Sequence, residues 1–337
     1  EAPVATPARR RRQLAAPSIM PTNQLLEQAF PSWARVRAGD ANLASGAAFR
    51  AGAGLALLDQ ILRANPAFAG ALRQRLALRA AAACASMLRL REDASALRDA
   101  EHLAGPGADP GPAGRLHRLW RGLASESSRL DASGFLLAAE VLGSPRAIDV
   151  EALTLALKNL ATEKRDPLRL AAQAASLIAQ ALPDAPRMES EILGLWAADL
   201  VLAARIGWER PVPLLATKIL DVSLRRGPNG KRPRPGDPDW AETVARATAL
   251  AACEAHTLAV DLARRSDRLL SALPKLRAKS AGRVIDMLLA DDAVTPAKAA
   301  RTTKLSDRAA RRLFDRLIEL GAVRELSGRP NFRLYGL

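Results

Sequence analysis

Apolar residues recur at three- and four-residue spacing along most of this chain, the period of helices that pack by one face. The pattern predicts helices over 42–62, 68–90, 94–103, 115–123, 133–142, 150–160, 168–182, 188–204 and 240–273. No alternating strand pattern interrupts them, and the breaks fall where Pro and Gly cluster, as at 105–112 and Gly143-Ser144-Pro145. The run from Arg79 to Ala85 is apolar nearly all round, which suits a helix at the centre of a bundle. Helix lengths are unequal and show no fixed period, which argues against a solenoid.

Beyond Pro274 the pattern shortens. Gly282–Leu289 reads as a first helix, and Thr295 followed by Pro296 reads as an N-cap and first helical residue of a second, ending near Arg301. Residues 302–305 form a turn, and Ser306 caps a third helix that Gly321 ends. On a wheel of about 100° per residue, Ala310, Leu313, Phe314, Leu317 and Leu320 fall on one side. Arg308 and Arg312 point directly away, with Arg311 on the flank. Residues 323–326 and 332–335 then read as two short strands joined by a turn. This is the order of a winged helix-turn-helix, whose second helix-turn-helix element presents its N-terminal residues to base edges. The expected DNA-contacting residues are Lys304, Arg308, Arg311 and Arg312, with Arg329 at the wing tip and Arg324 and Arg333 on its strands. Asp315 and Glu319 lie farther along the same face and confine contact to the first two turns, and Asp315 is spaced to pair with Arg311.

The predicted fold class is therefore mainly all-α: a large Ala-rich multi-helix domain over 22–273, a basic hinge at 274–279, and a winged helix-turn-helix with a short β-hairpin wing at 280–337. Residues 1–21 combine Pro3, Pro7, Pro17 and Pro21 with Arg9 to Arg12 and read as a disordered basic arm. Only Leu14-Ala15-Ala16 follows that basic run, too short for the apolar segment of a secretory signal.

Composition changes this picture in two respects. Aromatics make up only 4% of the 337 residues, so the core must be built from Ala, Leu, Val and Ile. The net charge of +15 points to an anionic partner, but an Arg-rich sequence also arises from codon bias, so distribution has to decide. Residues 275–337 hold 14 Lys and Arg against 7 Asp and Glu, nearly half of the excess in under a fifth of the chain. Such concentration favours nucleic acid. Cys84 and Cys253 sit inside apolar helical patterns and read as small buried residues of a reducing compartment. No stretch approaches the ~18 apolar residues of a membrane span, so a soluble cytoplasmic protein, associated with nucleoid or plasmid, is expected.

A second basic feature lies at 225–239. Arg225, Arg226, Lys231, Arg232 and Arg234 stand against Asp237 and Asp239 in a Pro- and Gly-rich stretch predicted to be an irregular loop, with a phosphate contact as one reading and a plain surface loop as the other. It is not the GxxxxGK[ST] phosphate loop. Enzyme chemistry finds little footing: His102, His117 and His256 belong to no metal motif, and Cys253 with His256 supplies only two ligands. Asp199, Glu254 and Asp261 lie in apolar helical company and fit a metal-assisted reaction on nucleic acid, although pairing with the abundant arginines is the commoner use of such acids. No catalytic residue, metal or cofactor is assigned.

Five runs carry a family resemblance: Gly-Trp-x-x-Pro-Val-Pro-Leu-Leu-Ala at 207–216, Arg-Pro-Arg-Pro-Gly-Asp-Pro-x-Trp at 232–240, Pro-Lys-Leu-Arg-Ala-Lys at 274–279, Asp-Arg-Ala-Ala-Arg-Arg-Leu at 307–313 and Arg-Glu-Leu-Ser-Gly-Arg at 324–329. Together they resemble DUF1403, an uncharacterised family of alphaproteobacterial, often rhizobial, proteins. The resemblance implies a bacterial, often plasmid-associated setting and a helical domain with a C-terminal helix-turn-helix, and it brings no activity. The sequence thus predicts a non-enzymatic bacterial protein that binds double-stranded DNA, a regulator or plasmid-maintenance factor, with the helical domain forming a homodimer or binding a partner or ligand. The alternative is a scaffold whose winged helix docks protein.

Overall fold

The structure, a computed structural model, describes residues 29–36, 46–104, 107–125, 130–142, 149–226, 230–276, 280–327 and 332–337. The predicted basic arm at 1–21 lies outside the described residues. The molecule is mainly helical, with thirteen α-helices and one two-stranded sheet among the described residues. None of these helices is long and apolar enough to cross a membrane.

Eight helices precede the Gly-Trp motif: α1 (Ala47–Arg63), α2 (Ala69–Met87), α3 (Ala94–Leu103), α4 (Gly111–Ser125), α5 (Ala132–Val141), α6 (Val150–Thr162), α7 (Pro167–Ala181) and α8 (Arg187–Ile206). Aspartates open four of them: Asp93, Asp131, Asp149 and Asp166 each accept a main-chain N–H of the first turn, satisfying donors that a helix start leaves orphaned. Gly207 closes α8 in the left-handed conformation with φ 77°. A one-turn helix, α9 (Leu215–Lys218), and the 33-residue α10 (Trp240–Ala272) complete the helical body. At 1.5 Å per residue α10 spans about 50 Å, and it packs on α1, α2, α7 and α9.

Two helices form the centre. α2 packs against α3, α4, α9, α10 and the C-terminal unit, and its Ala80, Ala81, Cys84 and Ala85 are fully buried. α8 is buried continuously from Ser190 to Ala203 and lies closely along α7, where a Cβ on Gly194 would sit 3.1 Å from the Ala175 carbonyl oxygen. Small side chains let these backbones approach, which explains how a core with so few aromatics closes.

The C-terminal unit comprises α11 (Ala281–Ala290), α12 (Pro296–Thr303), α13 (Asp307–Glu319) and the antiparallel strands β1 (Arg324–Glu325) and β2 (Tyr335–Gly336). Sequence reasoning expected a hinge before it. Residues 277–279 of that hinge lie outside the description, but the unit itself is seated directly on α2, α3 and α4. Asp292 is fully buried and pairs with Arg75 of α2, while Arg98 of α3 lies 3.9 Å away and donates to the Leu326 carbonyl at 2.8 Å. Asp291 accepts a forked pair from Arg121 of α4 at 2.8 and 2.9 Å and a third bond from Lys298 at 2.9 Å. Burial opposes its ionisation, yet Arg121 and Lys298 hold its carboxyl well below the usual carboxylate range. Contact is backbone-close: a Cβ on Gly70 of α2 would fall 2.6 Å from the Ala290 Cα of α11.

Candidate nucleic-acid interface

Local chemistry builds α12 and α13 as two helices joined by a tight turn. Thr295 caps α12 by accepting the Lys298 N–H at 3.0 Å, and Pro296 sits where no N–H is missed. α12 runs to Thr303, two residues past the expected end, and Lys304 turns the chain in the left-handed conformation at φ 58°. Ser306 then caps α13 by accepting the Ala309 N–H at 3.3 Å. Ala310, Leu313, Phe314 and Leu317 are buried, as the helical wheel requires. Phe314 stacks on Tyr335 with ring centroids 4.5 Å apart and planes inclined by 13°, which fixes α13 against β2.

The strands are shorter than expected by ladder geometry but continue as a hairpin, because the Leu326 N–H donates to the Leu334 carbonyl at 2.8 Å. Val294, between α11 and α12, exchanges main-chain hydrogen bonds with Tyr335 at 2.8 and 3.0 Å and adds a third segment. A single residue carries no alternation, so sequence pattern missed it.

The cations divide into two groups. Lys304, Arg308, Arg311 and Arg312 are exposed, and none forms an ion pair among the described residues. Arg301 on α12 is also exposed beside the turn, a position that sequence reasoning passed over because the helix was expected to end there. Two of the three acids of α13 are occupied elsewhere, and Asp307 lies exposed in its first turn. Glu319 pairs with Arg316 at 2.8 Å, and Asp315 faces Arg333 at 4.0 Å instead of taking Arg311 as its spacing suggested. Asp315 and Glu325, 3.9 Å from Arg333 on its other side, offset the charge of Arg333. Strand alternation turns Arg324 to the opposite face, where it donates to the Leu337 main-chain oxygen at 3.4 Å and lines a cleft against α10. Arg329 lies outside the described residues.

Burial also sharpens the charge count. Asp291 and Asp292, two of the acids that offset the basic residues of this unit, are buried and paired with arginines of the helical body. They contribute little to the field outside, so the exposed surface of the unit is more basic than its sequence total.

The second basic stretch is organised by internal ion pairs. Arg226 pairs with Glu242 at 2.7 Å, and its main chain bridges to Lys231, making a small hairpin of what was expected to be an irregular loop. Arg232 pairs with Glu191, whose side chain is 3% exposed, and Arg234 lies 3.7 Å from the same carboxylate. Three of the five cations therefore neutralise buried or half-buried acids. Arg225 and Lys231 are exposed, with no ion pair among the described residues.

The candidate carboxylates are separately employed. Asp199 accepts the N–H groups of Leu214 at 2.9 Å and Leu215 at 3.1 Å, capping α9, so its partners are main-chain donors where an arginine was expected. Burial raises its pKa to about 7. Glu254 pairs with Arg79 at 2.8 Å and with Lys218, and Asp261 pairs with Arg265 at 2.8 Å. No group of three or more His, Cys, Asp or Glu placed to hold a metal occurs among the described residues. Burial pushes the Cys84 thiol up to about 12, and Cys253, expected to be buried, is half-exposed.

Contacts of this kind also occupy two of the sequence runs that carry the family resemblance. Trp208 donates to Asp59 at 2.8 Å while Leu214 and Leu215 receive the Asp199 cap, and Trp240 donates to the Ala172 carbonyl at 3.1 Å. Both runs brace the helical body. A family model described as "Protein of unknown function (DUF1403)" matches residues 20–337. Curated proteins give no match.

Proposed function

The chain belongs to DUF1403, a family of unknown function, and on the chemistry of its C-terminal unit we propose that it is a bacterial DNA-binding protein, a transcriptional regulator or plasmid-maintenance factor. Residues 280–337 act as a winged helix-turn-helix on double-stranded DNA, and the helical domain over 22–273 carries the rest of the function. The observation that carries this reading is the exposed set Arg308, Arg311 and Arg312 on the first two turns of α13, which forms no ion pair among the described residues and lies opposite the buried Leu313, Phe314 and Leu317. A guanidinium presents a planar fork that matches the O6 and N7 acceptors of guanine or a phosphate. Lys304 and Arg301 flank the turn where the two helices meet the same surface. Arg333, partly neutralised, has a lesser part, and Arg324 has none.

Helix-turn-helix proteins commonly bind paired half-sites as dimers. Leu136 and Leu137 on α5 and Leu155 on the adjoining α6 are exposed leucines that favour self-association of the helical body. The test is a fluorescence-anisotropy titration of the full chain with a mixed-sequence duplex at stepped salt. Affinity that falls steeply with salt supports the reading, and no binding at low salt leaves the scaffold role in its place.

A further inference from the structure

A cleft of about 230 Å³ opens between the last turns of α10 and the segment that leaves α13. Arg264, Arg265 and Arg268 form one wall, and Arg324 with the main chain of Gly321–Val323 forms the other. Only part of this charge is balanced. Asp261 takes Arg265 at 2.8 Å, and Arg324 gives one N–H to the Leu337 main-chain oxygen at 3.4 Å. Arg264 and Arg268 stand one turn apart, both exposed, and neither has an ion pair among the described residues. Placing like charges on one helix face costs stability unless something anionic lies between them.

We propose that this cleft binds a small multivalent oxyanion, a phosphate- or carboxylate-bearing metabolite, in the forks of Arg264, Arg268 and Arg324. Guanidinium groups bind such anions by paired, charge-assisted hydrogen bonds, and a concave site with protein walls focuses their field. The volume is below the roughly 300–1,000 Å³ of sites for drug-sized ligands, so the ligand is smaller than these. Duplex DNA is disfavoured as the occupant because Arg324 faces away from Arg333 and Asp315, placing the cleft on the other side of the hairpin from the exposed face of α13. A ligand held here touches the helical body and the chain leaving α13 together. Its influence on DNA affinity rests on the DNA-binding reading above, whereas its binding does not.

The experiment uses the full chain without DNA. Inorganic pyrophosphate and citrate are titrated separately by calorimetry at constant ionic strength, against wild type and the Arg264→Gln, Arg268→Gln double variant. Saturable one-site binding of at least one probe is expected, weakened at least tenfold in the variant, with the ligand-free melting temperature no lower than that of wild type. Preference between the probes separates a phosphate ligand from a carboxylate one. Absence of saturable binding by either probe, or equal binding by the variant, overturns the proposal.

Discussion

The carboxylate of Asp292, fully buried under the C-terminal unit, accepts a hydrogen bond from Nε of Arg75, 217 residues earlier in the chain. This pair, with Arg121 on Asp291, makes the seat of the C-terminal unit part of the fold and not a free tether. Removing one partner of a buried pair typically costs about 3–5 kcal/mol, because the other charge stays buried and unpaired. Asp292→Ala should therefore lower the melting temperature markedly, and proteolysis should then cleave near residue 276 first. Gly70→Ala should have a related, smaller effect of about 1–3 kcal/mol, since its new methyl meets the Ala290 backbone. Equal stability of both variants with wild type, in urea unfolding, would show that the seat carries no load.

Acid should loosen the same seat. His117 is fully buried on α4, facing Arg121, His102 and Asp291, and burial with those cations pushes its pKa down to about 3. His102 is held down to about 4 for the same leading reason. The unfolded chain protonates these rings near pH 6.5 while the folded protein does not, so the unfolded state binds more protons in between. Stability is fully present above pH 6.5 and falls as pH drops toward 4, by up to about 1.4 kcal/mol per pH unit for each ring. Asp199 works in the opposite direction. Its raised pKa, about 7, contributes stability that is present below about pH 4 and is lost as pH rises through 7. His117→Leu should flatten the acid limb of a stability-versus-pH curve, and Asp199→Asn should remove the loss of stability that Asp199 imposes as pH rises from 4 to 7, which steepens the net rise. A curve unchanged by either substitution would contradict both assignments.

The basic hairpin at 225–239 gives a separable pair of outcomes. Arg232→Ala strips the main partner from buried Glu191 and should cost about 3–5 kcal/mol of stability. Arg225→Ala with Lys231→Ala removes exposed cations and should leave the melting temperature within a degree or two while testing any phosphate contact directly. If instead Arg232→Ala leaves stability intact, Glu191 is not held by that arginine in solution.

Much of the fold was legible because its signals are local. Thr295 and Ser306 mark helix starts by chemistry that acts within three residues, and the predicted helices, drawn from apolar spacing, fall close to the observed ones, although that spacing does not single out the aspartate caps Asp93, Asp131, Asp149 and Asp166. The wheel likewise placed Leu313, Phe314 and Leu317 inside and Arg308 and Arg312 outside. What stayed hidden depends on partners far along the chain. Nothing near Asp292 announces Arg75, nothing near Glu191 announces Arg232, and the choice of Asp315 between Arg311 and Arg333 depends on where the hairpin returns. Asp199 shows the same limit, since its main-chain partners at Leu214 and Leu215 come from a helix of one turn, too short to leave a periodic pattern.

The most direct test compares wild type with the Arg308→Ala, Arg311→Ala, Arg312→Ala variant in duplex-DNA titrations across a salt series. All three side chains are exposed, so the variant should keep its melting temperature. If α13 meets DNA through these arginines, affinity should fall at least tenfold, and the slope of log affinity against log salt should shrink by about one for each arginine that contacts a phosphate. An unchanged affinity with an unchanged salt slope would contradict a DNA-facing α13.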